Sequence, residues 1–405
     1  MRILHVTQHG SIIGGVETYA ADLHRLLQRD GHTVILLHGI AVGESRRAIA
    51  SERLHVPALR PGVGNWAERE SALRQVVEQV APDVILTHDV EEADVLRLFS
   101  RLRPTIPFVH VHSRYVCPGR GKFYAREQQT CARPFGAYCA IAPYLHACGT
   151  RRPWRLLANM RVTKRWIEAA REMPRLLVAS EYMKQELMAV GLSEERIVVN
   201  PPFVEAPRDE EASPREARWT TAEALPLVLF CGRFYDYKGA DLLLRALEFV
   251  TPPVRAVLIG EGPEQPKLKR LAARLPSRHL VSFPGWLSRT AVFGFYRRAR
   301  VVVIPSVWPE PFCRVGSEAM RQGAPIVAFR VGAIPEWVRE GETGLLVEPA
   351  NIRALAAAIE RVVTDEALAV ALSARAAQVA AEQFDARRHL ERLMRTFAAV
   401  RCAVG

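Results

Sequence analysis

The chain has 405 residues, 49% hydrophobic and 24% charged, with a formal net charge of +12. This is ordinary globular composition for two or three domains, each long enough to bury its own core. No apolar run approaches the roughly 18–20 residues that cross a bilayer, and the opening MRILHVTQHG reads as a first buried strand rather than a secretory leader, so a cytoplasmic protein is expected.

In the first half, short apolar runs alternate with amphipathic stretches. Strands are predicted at Ile3–Val6, Val34–Leu37, Val84–Thr87, Phe108–Val111, Leu176–Ala179 and Ile197–Val199. Helices are predicted at Glu17–Gln28, Ala67–Val80, Glu91–Leu102 and Glu181–Val190. This alternation predicts a parallel sheet with both faces covered. Residues 201–225, rich in Pro, Glu and Arg, read as a linker or surface excursion.

The alternation then repeats. Strands are expected at Leu227–Cys231, Ala256–Ile259, Leu280–Phe283, Val301–Ile304, Ile326–Phe329 and Gly344–Val347. Helices are expected at Ala240–Phe249, Glu264–Arg274, Ser288–Arg298, Val315–Arg321 and Asn351–Val363, with two more at Glu366–Ala381 and Ala386–Val400. The expected fold is α/β, with two doubly wound domains facing across a cleft. The boundaries are 1–205 for the N-terminal domain, 206–225 for the linker, 226–383 for the C-terminal domain and 384–405 for a helix returning to the first.

Two segments stand apart. Cys117, Cys131, Cys139 and Cys148 fall within 32 residues of loop-like sequence. With seven cysteines in all, the odd count argues against a disulfide framework. The spacing lacks paired CxxC motifs, so a structural zinc site, separately buried thiols and redox chemistry are all open readings. Between Arg151 and Arg175, eight Lys or Arg stand against two Glu, with Trp154 and Trp166 among them. Solvated helix faces explain such a run; so does contact with an anionic membrane surface. No nucleic-acid recognition motif accompanies the charge.

Ligands of open parallel sheets bind beyond the carboxyl ends of the strands. After the first strand comes SIIGGVET, where Gly14 and Gly15 let backbone approach a phosphate at a helix start. After the first strand of the second half comes LFCGRFYDYKG, where Arg233 and Lys238 suit a diphosphate. After VVVIPS comes WPEPFCRVGSEAM, which carries Glu310 between two prolines and Glu318 early in the next helix. A glycosidase also uses two carboxylates, but a hydrolase of plain glycosides has no use for phosphate-binding elements.

The runs GRFYDYKGADLLLRAL, SVWPEPFCRVGSEAMRQGAPIVA and GAIPEWVREGETGLLVEP, in that order, resemble glycosyltransferase family 4. The resemblance extends into the first half through GGVETYAADL, the histidine after VHVH, and SEYMKQEL followed by NPP. It implies the GT-B fold and sugar transfer, with retained configuration, from a UDP- or GDP-sugar to a hydroxyl acceptor. That acceptor would be a sugar, lipid-linked or polysaccharide acceptor in envelope synthesis, or else a soluble natural product. A nucleotide-sugar sensor without turnover is the non-enzymatic alternative.

The resemblance also implies roles. Glu318 binds the ribose and Glu310 stands near the donor sugar, while Arg233 and Lys238 hold the diphosphate. Gly14 and Gly15 approach the phosphate, and His112 lies beside the transferred sugar, with His110 as its alternative. Gly285 and Trp286 touch the base, and the backbone of Phe312, Cys313 and Arg314 approaches the donor. The two cations serve where a catalytic metal otherwise would. Cys313 departs from the family, which carries glycine there.

Overall fold

The computed structural model describes residues 1–41, 48–205 and 225–402. The chain forms two compact units. The first comprises Met1–Lys122, Ala132–Pro202 and the C-terminal stretch from Ala386; the second comprises Phe123–Cys131 and Phe203–Asp385.

The first unit is built on seven parallel strands: β1 (Arg2–His9), β2 (Thr33–Ile40), β3 (Arg53–His55), β4 (Val84–His88), β5 (Thr105–Val109), β8 (Leu176–Val178) and β9 (Ile197–Val199). Phe123–Tyr124 and Gln129–Thr130 supply β6 and β7, a separate antiparallel hairpin. The sheet order is β3-β2-β1-β4-β5-β8-β9, so the winding direction reverses between β1 and β4. β4 and β5 are buried along their whole length, as the continuous apolar runs require when helices cover both faces.

The last helix, Ala386–Cys402, belongs to this unit. His389 anchors it there: its Nε2 pairs with Tyr19 Oη at 2.8 Å and its Nδ1 with the Pro201 carbonyl at 2.8 Å. Asn200 Nδ2 donates to the His389 carbonyl at 3.2 Å.

The second unit has six parallel strands: β10 (Leu227–Cys231), β11 (Arg255–Ile259), β12 (Leu280–Gly285), β13 (Val301–Ile304), β14 (Ile326–Phe329) and β15 (Gly344–Val347). Their order, β12-β11-β10-β13-β14-β15, reverses between β10 and β13. The twelve strands expected from sequence all form, three of them shifted by three residues at one end. β1 extends to His9 and β2 to Ile40, and β5 begins at Thr105 and stops before Val111.

Several elements were not legible, among them the short helices Ser113–Val116, Ala142–His146 and Ile334–Trp337. β3 is a short, fully exposed edge strand without alternation. The β6–β7 hairpin has only two residues per strand. The 20-residue helix Pro153–Glu172 lies in the basic segment, where its first turns carry too few buried residues to set a period. The expected linker at 206–225 lies outside the described residues apart from its last position. No described helix is long and apolar enough to cross a membrane.

Candidate functional site

In the second unit, the loops after β10 and β13 carry the predicted residues. They leave neighbouring strands at the reversal point, where doubly wound sheets open a crevice. After β10 the chain runs through a 3-10 turn, Asp236–Lys238, into the helix Ala240–Leu247. Gly239 makes that turn possible: its φ is 72°, and a Cβ there would sit 1.8 Å from the Pro305 carbonyl oxygen. Glycine thus lets the loop after β10 lie against the loop after β13.

Lys238 Nζ donates to Glu310 Oε1 at 2.6 Å. The Glu310 side chain is 5% exposed and that of Lys238 24%. Burial by itself would lower the Lys238 pKa, but the Glu310 carboxylate outweighs it and holds the ammonium above its ordinary value. The ammonium also lies over two rings, 5.6 Å from Trp308 and 5.9 Å from Tyr237. Arg233 is exposed, its guanidinium 5.3 Å from the Tyr235 ring. Tyr235 in turn stacks on Tyr237 at 5.5 Å. The sequence motifs that contain Tyr235, Tyr237 and Trp308 imply no role for them; their spacing around Lys238 and Glu310 is the one local signal for them.

The Glu310 loop is held from beneath. Trp337 Nε1 donates to the Phe312 carbonyl at 3.0 Å, and the Ala333 amide donates to the Glu310 carbonyl at 2.8 Å. The Phe312 ring is buried, edge-on to Phe384 at 5.5 Å. Cys313 caps the helix Arg314–Arg321 in a left-handed conformation, φ 69° and ψ 78°. That is a glycine conformation occupied by a residue with a Cβ. Burial, and then the nearby Glu310 charge, push its thiol pKa up to about 12.

Glu318 sits in the second turn of that helix rather than at its start. Its Oε1 accepts from Arg314 Nη2 at 3.0 Å, one turn earlier. The helix dipole therefore contributes less to this carboxylate than its neighbouring guanidinium does. Gly285 ends β12 at φ 77°, and Trp286 is 59% exposed. The Trp286 amide donates to Glu261 Oε1 at 3.3 Å, a partner not singled out in the sequence.

In the first unit, Gly14 is the cap of the helix Gly15–Arg29, so the unpaired N–H groups of its first turn follow the end of β1. The two candidate histidines differ. His110 Nε2 pairs with His88 Nδ1 at 2.7 Å, inside a cluster of packed rings with Tyr19 and Phe108. His112 is buried, its Nε2 3.5 Å from Tyr182 Oη. Burial, and secondarily the Lys122 charge, lower the His112 pKa to about 3, so its imidazole is neutral.

The four clustered cysteines fall between β5 and the helix Pro153–Glu172. Cys117, Cys131, Cys139 and Cys148 are all partly buried. Among the described residues, no group of three or more His, Cys, Asp or Glu side chains is placed to hold a metal ion. Cys117 and Cys131 have partners close by. Cys117 Sγ accepts from the amides of Gly119 at 3.4 Å and Lys122 at 3.3 Å, while Cys131 Sγ donates to Tyr124 Oη at 3.0 Å.

Two family models match the chain. "Glycosyltransferase Family 4" covers residues 13–208, and "Glycosyl transferases group 1" covers residues 215–379. Among curated relatives, an uncharacterised glycosyltransferase of Methanocaldococcus jannaschii is 36% identical over 141 residues, 34% of this chain and 36% of that protein. The lipopolysaccharide core biosynthesis glycosyltransferase LpsE of Rhizobium meliloti is 34% identical over 169 residues, 42% of this chain and 48% of that protein. The matches thus span less than half the length of these relatives.

Solved structures match over almost the whole chain. Anabaena HepE in complex with UDP-glucose superposes with a TM-score of 0.70 at 20% identity, covering 98% of this chain and 100% of that one. Sucrose-phosphate synthase from Thermosynechococcus elongatus gives 0.72 at 20% identity, covering 99% of both. At these identities the likeness speaks for the fold alone. Two adjoining family matches, two Rossmann-like units and GT-B structural neighbours agree: the chain belongs to glycosyltransferase family 4.

Proposed function

We propose that this protein is a retaining glycosyltransferase that moves a sugar from a UDP- or GDP-sugar to a hydroxyl of a lipid-linked or polysaccharide acceptor in envelope synthesis. The observation that carries the reading is the Lys238–Glu310 pair at the reversal point of the second sheet, with Arg233 exposed beside it. Glu310 meets the sugar hydroxyls, Glu318 the ribose, and Arg233 and Lys238 the diphosphate. As the bond from the anomeric carbon to the phosphate oxygen breaks, the phosphate keeps the electron pair. Fixed cations stabilise that growing charge without reorganising. The acceptor oxygen bonds the anomeric carbon on the same face, and its proton passes to the departing phosphate oxygen.

The lipid side of the reading rests on the basic segment. From residue 128 to residue 167 there is no Asp or Glu, while seven Arg or Lys occur. On the helix Pro153–Glu172, Trp154, Leu157, Arg161 and Arg165 fall on one face and are exposed, with Trp154 at 68%. Nearby Ile141, Tyr144 and Leu145 are exposed as well. Arg165 pairs with Asp94, but Arg161 and the exposed apolar side chains around Trp154 still suit the surface of an anionic bilayer. Binding to phosphatidylglycerol vesicles at low salt, lost in Trp154→Ala/Arg161→Glu and absent with phosphatidylcholine, is the expected result. Equal sedimentation with both lipids would remove this part of the reading.

A panel of UDP- and GDP-sugars tests the reaction, read by thermal shift and donor hydrolysis in wild type and Glu310→Ala. Slow hydrolysis of one donor by the wild type alone is expected. Stabilisation without turnover, the same in both proteins, would indicate a sensor, and no response to any donor would overturn the proposal.

A further inference from the structure

The helix Glu181–Met188 presents Tyr182 and Glu186 one turn apart on a single face. Tyr182 meets His112 edge-on, with ring centroids 5.2 Å apart and planes at 88°. Glu186 meets Lys122, whose Nζ lies 2.7 Å from Glu186 Oε2 and also donates to the Arg133 carbonyl at 2.8 Å. Lys122 is only 2% exposed and has a left-handed backbone, φ 63°. A non-glycine residue takes that conformation only where its surroundings enforce it. Here the enforcing element is the turn wrapped on Cys117 Sγ, which directs the Lys122 side chain inward.

Burying a lysine is costly unless a partner holds it, and removing one partner is costlier still. This lysine is spent on the helix that also holds His112. We propose that Lys122 and Glu186 are positioning residues for His112, a clamp that docks the Cys117–Lys122 turn on the helix Glu181–Met188 and sets a fixed cation beside the imidazole.

The other charged groups around the ring are engaged elsewhere. Arg114, on the element that His112 opens, donates to the Val90 carbonyl, and Lys184 pairs with Glu194 at 2.8 Å. Tyr182 is the hydroxyl facing His112 Nε2. Cys117 carries a thiol that burial pushes up and keeps protonated. His112 Nδ1 has no hydrogen-bond partner among the described residues. Burial keeps the imidazole neutral, the Lys122 charge adds to it, and one ring nitrogen is left unengaged at the end of β5. The clamp's use in sugar transfer rests on the proposed function; its electrostatics do not.

The test is the imidazole signal of His112 by ¹⁵N NMR, identified by its loss in His112→Gln, followed from pH 7 downward without donor. Wild type and Lys122→Arg are expected to stay neutral. Lys122→Met should move protonation upward by about one unit. Glu186→Gln, which leaves the cation uncompensated, should not move it upward. Melting curves identify variants that fail to fold, and Lys122→Arg guards against reading lost packing as lost charge. If Lys122→Met leaves the titration where it was, or Lys122→Arg and Glu186→Gln raise it equally, the clamp is overturned. In turnover, the acid limb of kcat/KM should rise in Lys122→Met alone. Absence of turnover in the wild type would sink the transferase reading while leaving the NMR result standing.

Discussion

Lys238 and Glu310 are 72 residues apart in sequence, yet Nζ and Oε1 stand 2.6 Å apart across two neighbouring loops of the second sheet. The contact pre-forms the cation before any ligand arrives. It also makes each partner necessary to the other, because the Glu310 carboxylate is buried.

Lys238→Met is therefore expected to cost about 2 kcal/mol or more, since it strands a buried carboxylate, with some relief because the lysine itself is partly exposed. Glu310→Gln in the same chain should recover part of the loss. Urea denaturation of the two single variants and the double variant gives the coupling. Strict additivity would show that the pair is not energetically linked.

Glu318→Ala separates recognition from folding. The Arg314–Glu318 pair lies within one helix, and both side chains are 13% exposed. Its removal should change melting little. Binding of the nucleoside diphosphate should weaken by roughly 10- to 100-fold, as expected for lost hydrogen bonds to a charged group. Calorimetric titration with UDP and GDP reads this directly, and unchanged affinity for both would remove Glu318 from the ribose.

Cys313→Gly should stabilise the protein by about 0.5–1 kcal/mol, since left-handed strain is released and part of the gain is offset by glycine's unfolded-state entropy. In the wild type the thiol should resist Ellman's reagent at neutral pH, because burial pushes its pKa up to about 12. A lower melting temperature in the glycine variant would mean that the thiol's packing outweighs the backbone strain.

Acid should destabilise the first unit well above the carboxylate range. Burial holds His24 and His389 near 4, and holds His5 and His88 well below 6.5. The unfolded chain takes up these protons below about 6.5, whereas the folded chain refuses them until about 4. Stability is thus intact above 6.5 and is lost as pH falls through this window, on the order of several kcal/mol for the cluster. Melting temperature measured from pH 7 to 4.5 should fall steadily, and a flat profile would contradict the neutral buried cluster.

Much of the architecture could be read from the chain because parallel strands buried on both faces leave continuous apolar runs, as in VVVIP and VILTH. Edge strand β3 leaves no such trace, because nothing covers it. The helix Pro153–Glu172 was hidden for a related reason: its first half packs on almost nothing, so solvent and not a core selects its residues. The cysteines stand close in sequence, which says nothing of their partners; folding gives Cys117 the Lys122 amide and Cys131 the Tyr124 hydroxyl.

Sequence by itself carried most of the alternation of strands and helices, and the motifs that bear Arg233, Lys238, Glu310 and Glu318, since these follow from local pattern and spacing; the family came from the resemblance of those motifs. Tertiary structure alone decided the pairings: Lys238 with Glu310, Lys122 with Glu186, His110 with His88, and Tyr19 with His389. The physical reason is that each joins residues 22 to 370 positions apart. Such contacts form only where sheet order and loop approach bring buried charges and rings together, and no local period encodes them.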